Sequence, residues 1–183
     1  MASVLVPLAQ SCEELEAVTI IDLLRRAGVE VTTAGLDAQP VTASHGVVLI
    51  PDTTLDDALK KQYDMVVLPG GLPGADYLDQ DERIQSLLKK MADNGKFIAA
   101  ICAAPKVLAN AGLLNGKRAS AYPGTLEKLR LDDVILAPEP VVKDGNVITS
   151  RGPGTAMGFA LVLIESLVGI EKREEVEAGL VCA

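Results

Sequence analysis

Cys102 is the residue in this sequence best placed to act as a nucleophile. It follows the apolar run of residues 97–101, which shows no alternation and therefore predicts a strand covered on both faces. Pro105 suits the first turn of a helix, because its missing N–H is not needed there. A thiol on such a strand-to-helix turn meets the positive end of the helix, which favours the thiolate. The alternative is that Cys102 is a small buried hydrophobic residue, the common fate of a free cysteine.

Glu16 is the second candidate, because it points into the apolar arc of a predicted helix. At about 100° per residue, Leu23 lies about 20° and Ile20 about 40° from the direction of Glu16. A carboxylate among apolar side chains is costly unless it is hydrogen-bonded or held neutral by a raised pKa. Such carboxyls cluster at functional sites. The alternative is that Glu16 lies at the edge of the arc, reaches water and complements the helix dipole.

Gly70 and Gly71 directly follow the apolar run of residues 65–68. Paired glycines after a buried strand let the backbone approach a ligand and offer free N–H groups, although a simple tight turn also explains them. Their spacing is not that of a phosphate-binding or dinucleotide-binding loop. We therefore predict no nucleotide cofactor, and no other cofactor.

Strands and helices alternate along the chain. Strands are predicted at residues 4–8, 29–34, 43–50, 65–68, 97–101 and 147–149, and helices at residues 11–27, 52–62, 81–94, 105–111, 125–131, 156–168 and 171–180. Ser11 and Glu14 predict a capping box at the start of the first helix. This order indicates an α/β fold, an open and mostly parallel sheet with helices on both faces, formed by one domain over residues 1–183.

In such a fold the site lies at the carboxyl ends of the strands. Three loops leave these ends, at residues 11–16, 69–74 and 102–105. We therefore expect Glu16, the glycine pair and Cys102 to converge.

Composition restricts the function further. The net charge of −8 argues against nucleic-acid or anionic-membrane binding. No apolar run approaches the roughly 20 residues of a membrane span. Three widely spaced cysteines and one histidine, His45, predict neither a disulfide framework nor a zinc site, so we predict no metal and a reducing, cytoplasmic compartment. We interpret His45 as a surface or rim residue rather than a catalytic base.

Four motifs, at residues 13–16, 67–71, 99–105 and 149–155, together resemble the parkinsonism-associated deglycase branch of the PfpI/ThiJ superfamily, which is class I glutamine amidotransferase-like. The resemblance covers essentially the whole chain. It implies a flavodoxin-like sandwich and a homodimer.

The resemblance also implies roles for particular residues. Cys102 would be the nucleophile, and a protonated Glu16 would be hydrogen-bonded to its sulfur. The backbone N–H groups of Gly71 and Ala103 would form the oxyanion hole. The pocket would be lined by Gly70, Tyr122, Gly152 and Pro153.

The sequence also departs from the superfamily pattern. The proteases and amidotransferases of the superfamily pair the cysteine with a histidine, in the proteases at the next position, where this chain has Ala103. Close relatives often carry a histidine where this chain has Tyr122. A tyrosine donates a hydrogen bond but is a poor base near neutral pH. A Cys–His hydrolase is therefore disfavoured, because its base is missing.

Three functions are compatible with these residues. The first is a cofactor-free glyoxalase or deglycase acting on α-oxoaldehydes such as methylglyoxal and glyoxal, or on their early adducts with proteins, through Cys102 and Glu16. The second is an oxidative-stress sensor or chaperone in which Cys102 becomes a sulfinate. The third is a residual amidase or peptidase. The expected partners are thus a small aldehyde or a glycated protein, and a second copy of the chain.

Overall fold

Eleven strands form in the part of the chain that the structure, a computed structural model, describes: residues 1–129, 131 and 133–181. The strands are β1 (Ser3–Leu8), β2 (Glu30–Gly35), β3 (Val41–Thr42), β4 (Val48–Leu49), β5 (Thr53–Thr54), β6 (Met65–Leu68), β7 (Phe97–Ile101), β8 (Arg118–Ala119), β9 (Ile135–Leu136), β10 (Val141–Asp144) and β11 (Val147–Ser150). Seven of them form the central sheet, in the order β10-β11-β7-β6-β1-β2-β5. Every neighbouring pair in this sheet is parallel except β10 and β11.

Helices cover both faces of the sheet. They are α1 (Glu14–Arg26), α2 (Leu55–Ala58), α3 (Gly74–Gln80), α4 (Glu82–Asp93), α5 (Pro105–Asn110), α6 (Ala156–Val168) and α7 (Ile170–Gly179), with 3-10 turns at Glu127–Leu129 and Pro153–Thr155. None of the helices within the described ranges is both long enough and apolar enough to cross a membrane.

The sheet separates two apolar cores. On one face Val4 and Val6 of β1 pack in a cluster with α1 and α6, which include Ile20 and Phe159. On the other face Leu5 packs in a cluster that α2, α4 and α5 complete. Successive strand residues point to opposite faces, so a strand buried on both sides needs apolar residues at every position. This is why the apolar runs lack alternation.

The order β2-β1-β6-β7-β11 is that of a flavodoxin-like fold, which confirms the predicted fold class. The chain moves outward from β1 to β2 and then returns to β6 on the other side of β1. The strand order therefore reverses between β1 and β6, and a crevice opens at their carboxyl ends. The loops after β1, β6 and β7 lie at this edge.

Several local predictions were wrong. Ser11 has a left-handed φ of 62°, and Glu13 is the N-cap of α1, so the capping box of Ser11 and Glu14 does not form. Residues 43–50 are not one strand: they contain the turn of a hairpin between β3 and β4, with His45 in that turn. The helix predicted over residues 52–62 is only α2, capped by Thr54. The one predicted over residues 125–131 is a 3-10 turn, and residue 130 lies outside the described residues.

Candidate active site

Cys102 occupies a strained turn between β7 and α5. Its φ of 64° is left-handed, a conformation that costs a non-glycine residue about 1–3 kcal/mol. The turn is held on both sides, because the Cys102 N–H donates to the Ser150 carbonyl at 3.0 Å and its carbonyl accepts from the Tyr122 N–H at 2.8 Å. This is the geometry of a nucleophile elbow, which presents the side chain at the carboxyl edge of the sheet. The residue is 9% exposed.

Glu16 projects from the first turn of α1 and is fully buried, which excludes the alternative that it reaches water. Its Oε2 accepts the Gly70 N–H at 2.8 Å. Its Oε1 is buried and has no hydrogen-bond partner of good geometry among the described residues. Burial raises the pKa of Glu16 to about 7, against the opposing effects of the Gly70 N–H and the Cys102 side chain. The carboxyl therefore changes protonation state near neutral pH.

Gly70 lies against the side chains of both Cys102 and Glu16. A Cβ at this position would lie 2.6 Å from the Cβ of Cys102 and 2.9 Å from Oε2 of Glu16. It would also lie 2.8 Å from the Ile101 carbonyl oxygen. Only a glycine therefore fits at position 70. Because it has no side chain, Cys102, Glu16 and Gly70 lie in direct contact.

The thiol of Cys102 does not have the low pKa that the sequence predicted. Burial raises its pKa to about 12, helped by the charge of Glu16 and a hydrogen bond with that carboxylate. The N–H groups of Gly71 and Ala103 lower it, but by less. α5 has only six residues, so its dipole is small and desolvation dominates. The two effects of Glu16 disappear once Glu16 is protonated, so the thiolate is less costly beside a neutral Glu16 than beside an ionised one.

Gly71 adopts a conformation that other residues rarely reach. Its φ is 89°, and a Cβ would lie 2.5 Å from the Glu13 nitrogen and 2.6 Å from the Ser11 carbonyl oxygen. The glycine lets the turn after β6 fold tightly against the loop after β1. Its N–H can consequently point at the sulfur of Cys102, as does that of Ala103.

The remaining predicted pocket residues lie around the elbow. The Tyr122 side chain is 53% exposed, and a Cβ at Gly152 would meet its ring at 3.4 Å. Pro153 begins the 3-10 turn that follows Gly152. Thr155 closes this loop, since its Oγ1 accepts the Gly152 N–H at 3.1 Å and is hydrogen-bonded to Ser150 Oγ at 2.6 Å. The loop after β11 is thereby held beside Cys102.

The fold agrees with that of proteins similar to this sequence. The sequence model of the DJ-1/PfpI family matches residues 2–166. The chain belongs to the DJ-1/PfpI family.

Individual members of the DJ-1/PfpI family are similar over nearly the whole chain. Protein dj-1beta of Drosophila melanogaster is 46% identical over 182 residues, which cover 99% of this chain and 97% of that protein. Its crystal structure superimposes with a TM-score of 0.95, at 44% identity, covering 100% of this chain and 98% of that one. The structure of oxidized Toxoplasma gondii DJ-1 has a TM-score of 0.94 and 40% identity, with 100% of both chains covered. The Caenorhabditis elegans protein named glutathione-independent glyoxalase DJR-1.2 is 37% identical over 171 residues, covering 93% of this chain and 90% of that protein.

The sequence did not reveal a group of polar contacts at the start of α1, near the elbow at Cys102. Glu14, predicted to cap a helix, instead accepts the His45 N–H at 2.8 Å and the Val47 N–H at 3.5 Å. Glu13 is near enough to Glu16 for its charge to raise the pKa of that carboxyl. The partners in the hairpin are more than thirty positions from Glu14 along the chain, and no local pattern in the sequence announces them.

Proposed function

We propose that this chain is a cofactor-independent glyoxalase or deglycase. Its substrates would be α-oxoaldehydes such as methylglyoxal and glyoxal, or the early adducts that these form with proteins. The observation that carries the proposal is the buried Glu16 carboxyl, with a pKa of about 7, in contact with the elbow residue Cys102. Isomerising an α-oxoaldehyde needs a nucleophile and a group that both accepts and donates a proton near neutral pH. The name of the C. elegans relative supports this reading.

The reaction begins with a proton transfer between the two side chains. Ionised Glu16 takes the proton of Cys102, which leaves a thiolate beside a neutral carboxyl. The sulfur adds to the aldehyde carbon, and the resulting oxyanion is stabilised by the N–H groups of Gly71 and Ala103 and protonated by Glu16, giving a hemithioacetal. No cofactor is needed, because no electrons leave the substrate.

Glu16 then moves a proton between adjacent carbons. Its carboxylate removes the hydrogen from the carbon that bears sulfur, which leaves an enediolate. Glu16 returns that proton to the neighbouring carbon while the hydroxyl proton passes to the oxygen of that carbon, and this yields the thioester of a 2-hydroxy acid. Water cleaves the thioester, releases the acid and restores the Cys102 thiol. For methylglyoxal the product is lactate, and the overall change is the addition of one water.

The test is the purified protein with methylglyoxal in the absence of glutathione. We expect lactate from the wild type, and none above background from Cys102→Ser or Glu16→Gln. Cys12→Ala is the matched control, because Cys12 is also a buried free thiol, and it should retain activity. The proposal is wrong if the wild type forms no lactate or if Cys102→Ser still forms it.

A second function, an oxidative-stress sensor or chaperone, uses the same sulfur. Each of two peroxide molecules would transfer one oxygen to the Cys102 sulfur and leave as water, giving a sulfinate. A protonated Glu16 and the N–H groups of Gly71 and Ala103 would donate to its oxygens. Intact mass should rise by about 32 Da after mild peroxide, with the oxygens mapped to Cys102. Earlier oxidation of Cys12, or of Cys182 outside the described residues, would contradict this function.

An amidase or peptidase receives no support from the described contacts. The single histidine of the sequence, His45, contacts Glu13 and Glu14. A Cys–His hydrolase uses a histidine as the base at the nucleophile, and the position after Cys102 is Ala103.

We also propose that the chain forms a homodimer in the cytoplasm. Five exposed apolar side chains lie on α1 and on the β3–β4 hairpin: Leu15, Val18, Val47, Val48 and Ile50. The two elements adjoin, because Glu14 binds the hairpin turn. Exposed apolar side chains grouped on adjoining elements are typical of a protein interface. Light scattering after gel filtration should give the mass of a dimer for the wild type and of a monomer for Ile50→Asp. A monomeric wild type would disprove the interface.

A further inference from the structure

A second group of titratable side chains lies at the start of α1. It consists of Glu13, Glu14 and His45, whose ligand atoms all lie within 4.8 Å of one another. Glu13 and Glu14 come from the N-terminal end of α1, and His45 comes from the turn between β3 and β4. The reaction proposed for Cys102 does not use the side chains of any of these three residues.

The distances from His45 to the two carboxylates match those between the ligands of a metal ion. Nδ1 of His45 lies 3.4 Å from Oε2 of Glu13 and 3.3 Å from Oε2 of Glu14. The contact with Glu14 is a hydrogen bond, longer than the usual length of about 2.7–2.9 Å for charge-assisted N–H···O bonds. Ligands placed about 2.0–2.1 Å from a tetrahedral Zn²⁺ lie about 3.3–3.4 Å apart, which is the separation found here.

Both carboxylates are held by their other oxygen. Oε1 of Glu13 accepts the Leu15 N–H at 3.3 Å. Oε1 of Glu14 accepts the His45 N–H at 2.8 Å. In each case Oε2 is the oxygen that faces the imidazole. Hydrogen bonds to the outer atoms of ligating side chains orient a metal site in this way.

Charge and access also agree with a bound cation. The Glu13 side chain is 12% exposed and that of Glu14 11%, whereas the His45 side chain is 74% exposed, so in a single chain, before the proposed dimer forms, solvent reaches the group from the histidine side. Two carboxylates and a neutral imidazole balance a divalent ion. Three protein ligands leave a fourth position for water. A mixed set of one imidazole nitrogen and two carboxylate oxygens suits divalent transition metals, and neither Ca²⁺ nor Cu⁺.

We propose that Glu13, Glu14 and His45 bind a divalent transition-metal ion, with Zn²⁺ as the reference ion. The sequence predicted no metal, because it contains no cysteine–histidine zinc pattern. This ligand set is instead assembled by the packing of the hairpin turn against the start of α1. The site shares no side chain with the chemistry proposed for Cys102, although the charge of Glu13 acts on Glu16, and its test requires no activity.

The experiment exploits the fact that His45 is the single histidine of the chain. Its imidazole therefore gives the only histidine side-chain signals in a ¹⁵N NMR spectrum, and titration with Zn²⁺ reports directly on this ring. The protein carries Cys102→Ser and Cys182→Ser, so that thiolates do not capture the ion. We expect saturable binding of one Zn²⁺ with a large shift of the Nδ1 signal. Zn²⁺ binding that leaves the imidazole signals unchanged would overturn the proposal, as would the absence of binding.

Three ligand variants and one control complete the test. Glu13→Gln, Glu14→Gln and His45→Gln should each weaken Zn²⁺ binding by about tenfold or more, since even outer-shell changes cost about 10–100-fold. Glutamine keeps the oxygen that accepts the backbone N–H groups, so the local fold is preserved. Glu174→Gln, on the exposed side of α7, removes the same charge far from the ligand set along the chain and should leave the affinity unchanged. Equal affinity in His45→Gln and wild type would show that the group is only an ion pair.

Discussion

Replacing Glu16 with glutamine should change how the stability of the protein depends on pH. Glutamine has the shape of a protonated glutamate and keeps an oxygen to accept the Gly70 N–H, which Glu16 binds at 2.8 Å. It cannot ionise. The difference in unfolding free energy between wild type and Glu16→Gln therefore isolates the cost of ionising this one carboxyl.

The magnitude follows from the pKa of Glu16, which burial raises from 4.5 to about 7. The folded protein therefore binds this proton more tightly than the unfolded chain does. Stability from this group is complete below pH 4.5, and it is lost as the pH rises through about 7. At about 1.36 kcal/mol per pKa unit, the total loss is about 3 kcal/mol.

The assay is urea denaturation of both proteins at several values from about pH 4.5 to about pH 8. We expect the wild type to lose about 3 kcal/mol relative to Glu16→Gln across this range. Cys102→Ser is the second reference, because it keeps the carboxyl and removes the thiol. A constant difference between wild type and Glu16→Gln would refute the reasoning. A pH dependence that disappears in Cys102→Ser and persists in Glu16→Gln would assign the proton to the sulfur instead.

Three further predictions follow from the same structure. The kcat/KM for methylglyoxal should rise as the pH increases through about 7, because Glu16 then becomes able to take the thiol proton. Lactate formation is measured in a stopped assay at several pH values, and a flat profile would contradict this prediction. Gly70→Ala should lower kcat/KM by about 100-fold or more, because its Cβ would displace the reacting groups by a fraction of an ångström or more. Gly158→Ala, within α6 and with no atom within 4 Å of the added Cβ, is its control and should keep full activity. Leu88→Ala should destabilise the fold by about 2–5 kcal/mol in urea denaturation, because Leu88 is fully buried in α4. A loss below about 1 kcal/mol, which is roughly the cost of a surface substitution, would contradict this packing.

Local sequence patterns were sufficient for the fold class and for the strand-to-helix turn that carries Cys102. Continuous apolar runs predicted β1, β6 and β7, because a strand covered on both faces needs apolar residues throughout. Pro105 placed the start of α5, and the apolar stretch of residues 156–168 gave the bounds of α6. Glu16 was found by its direction on the helix, since each residue of a helix turns by about 100°.

Tertiary structure alone decided how these residues affect one another. The sequence predicted a thiolate at Cys102 from the positive end of the following helix alone. In the structure, burial of the thiol by distant segments raises its pKa by more than the six-residue helix α5 can lower it. The steric need for glycine at position 70 arises from Glu16 and Cys102, which are 54 and 32 positions away along the chain. Glu14 likewise accepts a hydrogen bond from the His45 N–H in the hairpin turn, a contact that the predicted capping box could not reveal. A residue's own neighbours in sequence encode periodicity and turns, whereas pKa values, close contacts and ligand sets depend on distant segments that only packing brings together.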